Sequence, residues 1–120
     1  MSRRIKDHIH HLEVLSRGKP KMQRALIQAA DREFMLCLCE CVDNVIKGNV
    51  PMTSAQIDKL KSKRHLLRKL CNRRISLKKK KAALLQRGNG LSLLTGLLVK
   101  PLIGLMIKKI TAAALGGGRK

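Results

Sequence analysis

The sequence predicts an all-α fold, with a small bundle of about four helices over residues 1–87 and a hydrophobic helical tail over residues 88–120. In the first part, apolar residues recur every three or four positions, which is the spacing of one helix face. Capping residues and Gly or Pro separate these periodic stretches. Trp and Tyr are absent and Phe34 is the only aromatic residue, so the core must be built from aliphatic, Met and Cys side chains.

The first predicted helix covers residues 3–16 and presents one apolar stripe: Ile5, Ile9, Leu12 and Leu15. Gly18 suits the position after its last turn, and Pro20 suits the first turn of the next helix. Three histidines also lie on it: His8, His10 and His11. A pH sensor or ligand site is one interpretation. Because no carboxylate pattern or nucleophile accompanies the histidines, the preferred interpretation is that they are helix residues that face solvent.

Residues 20–47 are helical in pattern, as one bent helix or as two short ones. A first stripe contains Met22, Leu26 and Ala29, and a second contains Phe34, Leu38, Cys41, Val42 and Val45. Asp31 stands between the stripes, where its carboxylate would cap a new helix. Gly48 and Pro51 end the helical pattern.

Two basic helices follow. Thr53 and Gln56 have the spacing of a capping box and open a helix over about 54–72. Its apolar stripe is Ile57, Leu60, Leu67 and Leu70. Ser76 is the candidate cap of a helix over 77–87, which begins with four consecutive lysines. Cations are unfavourable at a helix N-terminus, and such a local cost often marks a functional site.

The positive charge is concentrated in the second half of the chain. Residues 59–120 hold 18 basic residues and no acidic ones, whereas residues 1–58 hold 9 basic and 7 acidic residues. This excess calls for a polyanion, either nucleic acid or an anionic membrane. The predicted nucleic-acid-binding residues are Lys59, Lys61, Lys63, Arg64, Arg68, Lys69, Arg73, Arg74, Lys78, Lys79, Lys80, Lys81 and Arg87.

The lysine run favours contact with the backbone of double-stranded DNA, because ammonium groups suit phosphates while base edges are read by Arg, Asn and Gln. The helices 54–72 and 77–87 also permit a helix-turn-helix, which is the less favoured interpretation. No zinc-finger spacing and no aromatic residues of an RNA-recognition motif occur in the sequence.

The sequence predicts no enzyme, no metal and no cofactor. It contains no phosphate-binding loop, no nucleophile elbow and no zinc-protease motif. Its four cysteines, Cys37, Cys39, Cys41 and Cys71, lack a standard zinc spacing. Residues 1–17 lack the apolar core of a signal peptide, so we expect a reducing compartment and free thiols that belong mainly to the core.

Beyond Gly88-Asn89-Gly90, two apolar runs flank Lys100 and Pro101. Neither run alone reaches the ~20 residues that span a bilayer. Three interpretations remain open: an interfacial membrane-active segment, a helix packed on the bundle or on a partner, and a true span. The predicted membrane or partner contacts are Leu94, Leu97, Leu98, Val99, Leu102, Ile103, Met106 and Ile107.

The order of a basic run (78–81), a Gly hinge (87–90) and an apolar tail with Pro101 resembles the adenovirus core protein X (mu) precursors. The whole chain is more similar to the X-like proteins of adintoviruses and Maverick/Polinton elements. The segments that carry this resemblance are residues 29–41, 48–53, 67–70 and 76–80, followed by the tail. Two features depart from the adenovirus peptide: lysine replaces most of its arginine, and a helical N-terminal half is added.

The resemblance implies a minor virion protein that neutralises and condenses packaged double-stranded DNA without sequence specificity. It would act in the virion and, during assembly, in the host cell nucleus, beside capsid proteins. An adenovirus-type protease would cut after Gly118, in the sequence Leu115-Gly-Gly-Gly118, or less well near Gly88. The alternative function is a membrane-active entry protein that uses the tail on an anionic membrane.

Overall fold

A computed structural model of the chain describes residues 3–86, 91 and 95–105, and only the backbone at Leu97 and Leu98. This part contains seven α-helices, a π-helical turn at Thr95–Val99 and α-helical backbone over residues 100–105, and it contains no strand. The helices are α1 (Arg3–Asp7), α2 (Ile9–Arg17), α3 (Pro20–Ala29), α4 (Arg32–Ile46), α5 (Ser54–Ser62), α6 (Arg64–Cys71) and α7 (Leu77–Leu85). The predicted all-α fold is confirmed.

Residues 3–86 form seven helices rather than about four because three predicted helices are each interrupted. The first breaks at His8, whose ring Nδ1 donates to the Arg4 carbonyl at 2.8 Å. The third breaks at Lys63, where the Ser62 hydroxyl donates back to the Lys59 carbonyl at 2.6 Å. Such side-chain bonds compete with the backbone ladder and bend helices. At both breaks the backbone N–H bonds three residues back, to Ile5 and Leu60 respectively.

The three predicted N-caps are confirmed. Asp31 accepts a hydrogen bond from the Phe34 N–H at 2.8 Å, which divides residues 20–47 into α3 and α4. Thr53 and Gln56 form both bonds of the capping box, at 3.2 and 2.9 Å. Ser76 accepts from the Lys79 N–H at 3.2 Å. Each cap satisfies a backbone donor that the helix itself leaves without a partner.

Helix α4 lies at the centre of the fold and contacts α1, α6, α7 and the π-helical turn. It buries seven side chains: Phe34, Met35, Cys37, Leu38, Cys41, Val42 and Val45. The predicted stripe of the first helix is buried at Ile5, Leu12 and Leu15. Three residues of the predicted apolar stripes are exposed, because Met22 is 52% exposed, Ile57 is 42% exposed and Ala29 also lies on the surface. Leu60 is the one buried residue of α5.

The described part of the tail belongs to the same core. Leu91, Val99, Leu102 and Ile103 are buried with the side chains of α2 and α4. The buried Gln23 amide on α3 donates to the Leu15 carbonyl and to the Thr95 hydroxyl, both at 2.9 Å. Since Gln23 bonds both α2 and the π-helical turn, a buried polar contact as well as apolar packing joins the π-helical turn to the N-terminal helices.

Candidate nucleic-acid interface

Nine of the predicted DNA-binding cations are exposed on α5, α6, α7 and the joint at residues 72–76. We call these nine residues the basic surface: Lys59, Lys61, Arg64, Arg68, Lys69, Arg73, Arg74, Lys78 and Lys79. Lys69 of α6 and Lys79 of α7 line one shallow groove between the two helices. Lys63 is half-buried, and Arg87 lies outside the described residues.

Most carboxylates of the N-terminal half form ion pairs or hydrogen bonds with other groups of that half. Arg4 bonds both Glu33 and Glu40, which together raise the pKa of its guanidinium. Two further pairs lie on single helices, between Arg17 and Glu13 at 3.1 Å and between Lys47 and Asp43 at 2.8 Å. In α5, α6 and α7 the sequence supplies one carboxylate, Asp58. The positive potential of the basic surface is therefore largely uncompensated by local acids.

The run of four lysines on α7 divides into two exposed and two packed side chains. Lys78 and Lys79 are exposed, whereas Lys80 is 5% exposed with its Nζ 3.9 Å from Cys39 Sγ of α4. Lys81 Nζ donates to the carbonyls of Ala30 at 2.6 Å and Gln28 at 3.3 Å. The sequence prediction assigned all four to nucleic acid, but Lys80 and Lys81 have partners inside the fold.

Lys81 acts as a C-terminal cap for α3. That helix ends at Ala29, so the carbonyls of its last turn lack intrahelical partners. A cation at this end also complements the helix dipole. The contact joins α3 to α7 across 51 residues of sequence, and no local sequence pattern indicates it.

The cysteines do not form a metal centre among the described residues. In the part of the chain that the structure describes, no group of three or more His, Cys, Asp or Glu side chains could hold a metal ion. All four thiols are free, with Cys37 and Cys41 buried and Cys39 and Cys71 half-buried. A hydrogen bond with Cys37 and burial raise the pKa of Cys41, and burial raises the pKa values of Cys39 and Cys71.

The histidines of the first helix were expected to face solvent, and His10 and His11 are exposed, whereas His8 is half-buried. The rings of His8 and His11 lie against Phe34, with centroids 6.1 and 6.0 Å from its ring. The three rings therefore cover one edge of the core.

The predicted membrane-contact residues are described only in part. Val99, Leu102 and Ile103 are buried in the bundle, at 2%, 0% and 6% exposure. Leu94, Met106, Ile107 and the side chains of Leu97 and Leu98 lie outside the described residues, as do the cleavage sequences near Gly88 and Gly118. Among the described helices, none combines the length and the apolar character that crossing a bilayer requires.

A scan against protein-family models and searches of curated proteins and of solved structures find no match to this chain.

Replacing Lys81 with Met should destabilise the fold, because the carbonyls of Ala30 and Gln28 lose a charged donor. We expect the free energy of unfolding to fall by about 1 kcal/mol in a urea titration. The matched control is Lys78→Met, which removes a cation from an exposed position of the same helix and should change stability by less than about 0.5 kcal/mol. Equal effects of the two substitutions would contradict the capping role.

Proposed function

We propose that the protein is a minor virion core protein that binds double-stranded DNA through the basic surface and neutralises it without reading sequence. The observation that carries this proposal is the group of nine exposed cations on α5, α6, α7 and their joint, where the helices supply one carboxylate. Duplex DNA presents one negative charge per ~1.7 Å of its axis, so a basic surface that contacts its phosphates gains free energy by releasing bound counterions.

The chemistry of the exposed residues supports backbone contact. Five of the nine are lysines, whose ammonium groups act as point charges on phosphates. A recognition helix places the residues that contact bases in its N-terminal turn. In α7 this turn exposes Lys78 and Lys79. Base discrimination would favour the planar groups of Arg, Asn or Gln there. The surface is therefore suited to positioning on a duplex of any sequence.

The virion setting rests on the resemblance to the X-like proteins of adintoviruses and adenoviruses. On that basis we propose DNA packaging with condensation in the virion, assembly in the host cell nucleus, and contact with capsid proteins. The order of basic helices followed by an apolar tail supports this assignment. Charge neutralisation itself depends only on the basic surface.

Binding to duplex DNA should weaken steeply with salt. If about eight cations meet phosphates, a plot of log K against log salt should have a slope of about −7. Fluorescence anisotropy with two unrelated duplexes of equal length measures both the slope and the sequence preference. We expect affinities that agree within about threefold. A slope near zero, or a preference above a hundredfold, would refute the proposal.

The double variant Lys78→Gln with Lys79→Gln should bind DNA more weakly, because two phosphate contacts are lost. The salt slope should become shallower by about 2. Circular dichroism should remain helical, since removing cations from the N-terminus of α7 favours the helix. The control is Lys19→Gln with Lys21→Gln, which removes two exposed cations from the start of α3 and should leave the slope unchanged. The opposite ranking of the two variants would move the interface to the N-terminal half.

The alternative function, entry through an anionic membrane, is favoured by the acid-free composition of residues 91–115 with Lys100, Lys108 and Lys109. Membrane action would require Val99, Leu102 and Ile103 to leave the core, where they are buried. The two functions therefore make different demands on the same residues.

A peptide of residues 88–115 should release dye from anionic vesicles more than from neutral ones if the alternative holds, because its cations attract the headgroups. The peptide with Leu98→Glu and Ile103→Glu should be inactive, since burying two carboxylates at the headgroup boundary is costly. Vesicles that stay sealed at every peptide concentration would reject the membrane function and leave these residues with a structural role.

A further inference from the structure

Lys80 is the buried charged side chain among the described residues, at 5% exposure. An ammonium group has three hydrogen-bond donors, and within the described part of the chain its acceptor is Cys39 Sγ at 3.9 Å. Sulfur is a weak acceptor, and burial raises the pKa of this thiol above its ordinary value. A buried cation without an anionic partner is costly, so its place in the fold calls for an explanation beyond packing.

Lys80 lines an open cleft of about 500 Å³ between α4 and the joint that leads into α7. Two arginines line the same cleft, Arg32 at the start of α4 and Arg73 in the joint. The one carboxylate in the lining, Asp43, is bound to Lys47 at 2.8 Å. The cleft thus holds an ion pair and three further cations, which gives it a net positive charge.

The backbone adds to this field. Ser76 and Leu77, the N-cap and first residue of the nine-residue α7, line the cleft. Helix N-termini carry partial positive charge and unpaired N–H groups, which favour bound anions. No aromatic side chain lines the cleft, so it offers no surface on which a base would stack.

We propose that this cleft is a phosphoryl-binding site in which Lys80, Arg32 and Arg73 hold the oxygens of one phosphate group. Arginine forks and a lysine ammonium suit phosphate oxygens, and the absence of a stacking surface in the cleft makes the phosphate the recognised part. The phosphate comes either from a nucleic-acid backbone or from a free ligand such as a polyphosphate. The site is distinct from the exposed basic surface, except for Arg73, and does not depend on the proposed DNA-binding function.

Inorganic pyrophosphate is the probe for the first experiment, a thermal-shift titration of the full chain at constant ionic strength. The wild-type protein should show a saturable rise in melting temperature. Lys80→Met should raise the apparent Kd about tenfold or more, which is the loss expected for one charge-assisted bond. Lys69→Met removes an exposed cation outside the cleft and should change Kd less than twofold. Equal Kd values for the two variants would overturn the proposal.

Cysteine labelling provides a second readout that does not depend on how Lys80→Met folds. Cys39 and Cys71 line the cleft and are half-buried, whereas Cys37 and Cys41 are buried. Pyrophosphate should therefore slow the reaction of wild-type Cys39 and Cys71 with N-ethylmaleimide. The exposed Arg73→Met variant should lose most of this protection. Unchanged labelling rates in the wild-type protein, at concentrations that saturate any thermal shift, would also overturn the proposal.

A short DNA duplex in the labelling experiment distinguishes the two sources of phosphate. Protection by both duplex and pyrophosphate identifies the cleft as a contact for the nucleic-acid backbone. Protection by pyrophosphate alone, while the duplex still binds with its steep salt dependence, identifies a free phosphoryl ligand. If pyrophosphate does not bind in the cleft, duplex binding by the basic surface is unaffected. If duplex DNA does not bind, the pyrophosphate results still stand, so the two proposals are tested separately.

Discussion

The fold depends on the burial of one wide apolar face on α4. This helix places seven side chains in the core, and α1, α6, α7 and the π-helical turn all pack against it. With a single aromatic residue in the chain, the core is assembled from side chains that each contribute roughly 1.5–3 kcal/mol when fully buried. Each neighbouring helix must therefore pack its whole apolar stripe against α4. In α6 that demand turns the charged residues Arg64, Arg68 and Lys69 toward solvent.

The features that the sequence predicts correctly are local ones. The caps at Asp31, Thr53 and Ser76 each involve residues within three positions of one another, so their chemistry is visible in the sequence. The breaks at His8 and Lys63 were missed because the helical spacing of apolar residues continues on both sides of each position. The exposure of Ile57 was missed because helical spacing shows which face is apolar but not whether another helix covers it.

In the candidate interface, too, the sequence predicts local properties and composition, whereas side-chain directions depend on tertiary packing. The excess of positive charge after residue 58 is a property of composition, and so is the preference of lysine for phosphates. The direction of each lysine is a tertiary property. Consecutive helical residues point about 100° apart, so four adjacent lysines on α7 cannot share one environment. Lys81 reaches the end of α3 and Lys80 enters the cleft beside Cys39 because α7 lies against both α3 and α4. The cleft itself joins Arg32 to Arg73, which sequence spacing does not connect.

The hydrogen bond between Gln23 and Thr95 has a consequence for how the chain acquires its structure on the ribosome. These residues are 72 positions apart, and Gln23 is buried. During translation, α2 and α3 emerge long before their partner around residue 95 exists. The part of their apolar faces that this partner covers cannot be buried until then. Closing so long a loop costs entropy before the contact repays it. The nascent chain therefore leaves part of this aliphatic surface uncovered until residue 95 has been made, which places the completion of the core after translation of the first part of the apolar tail.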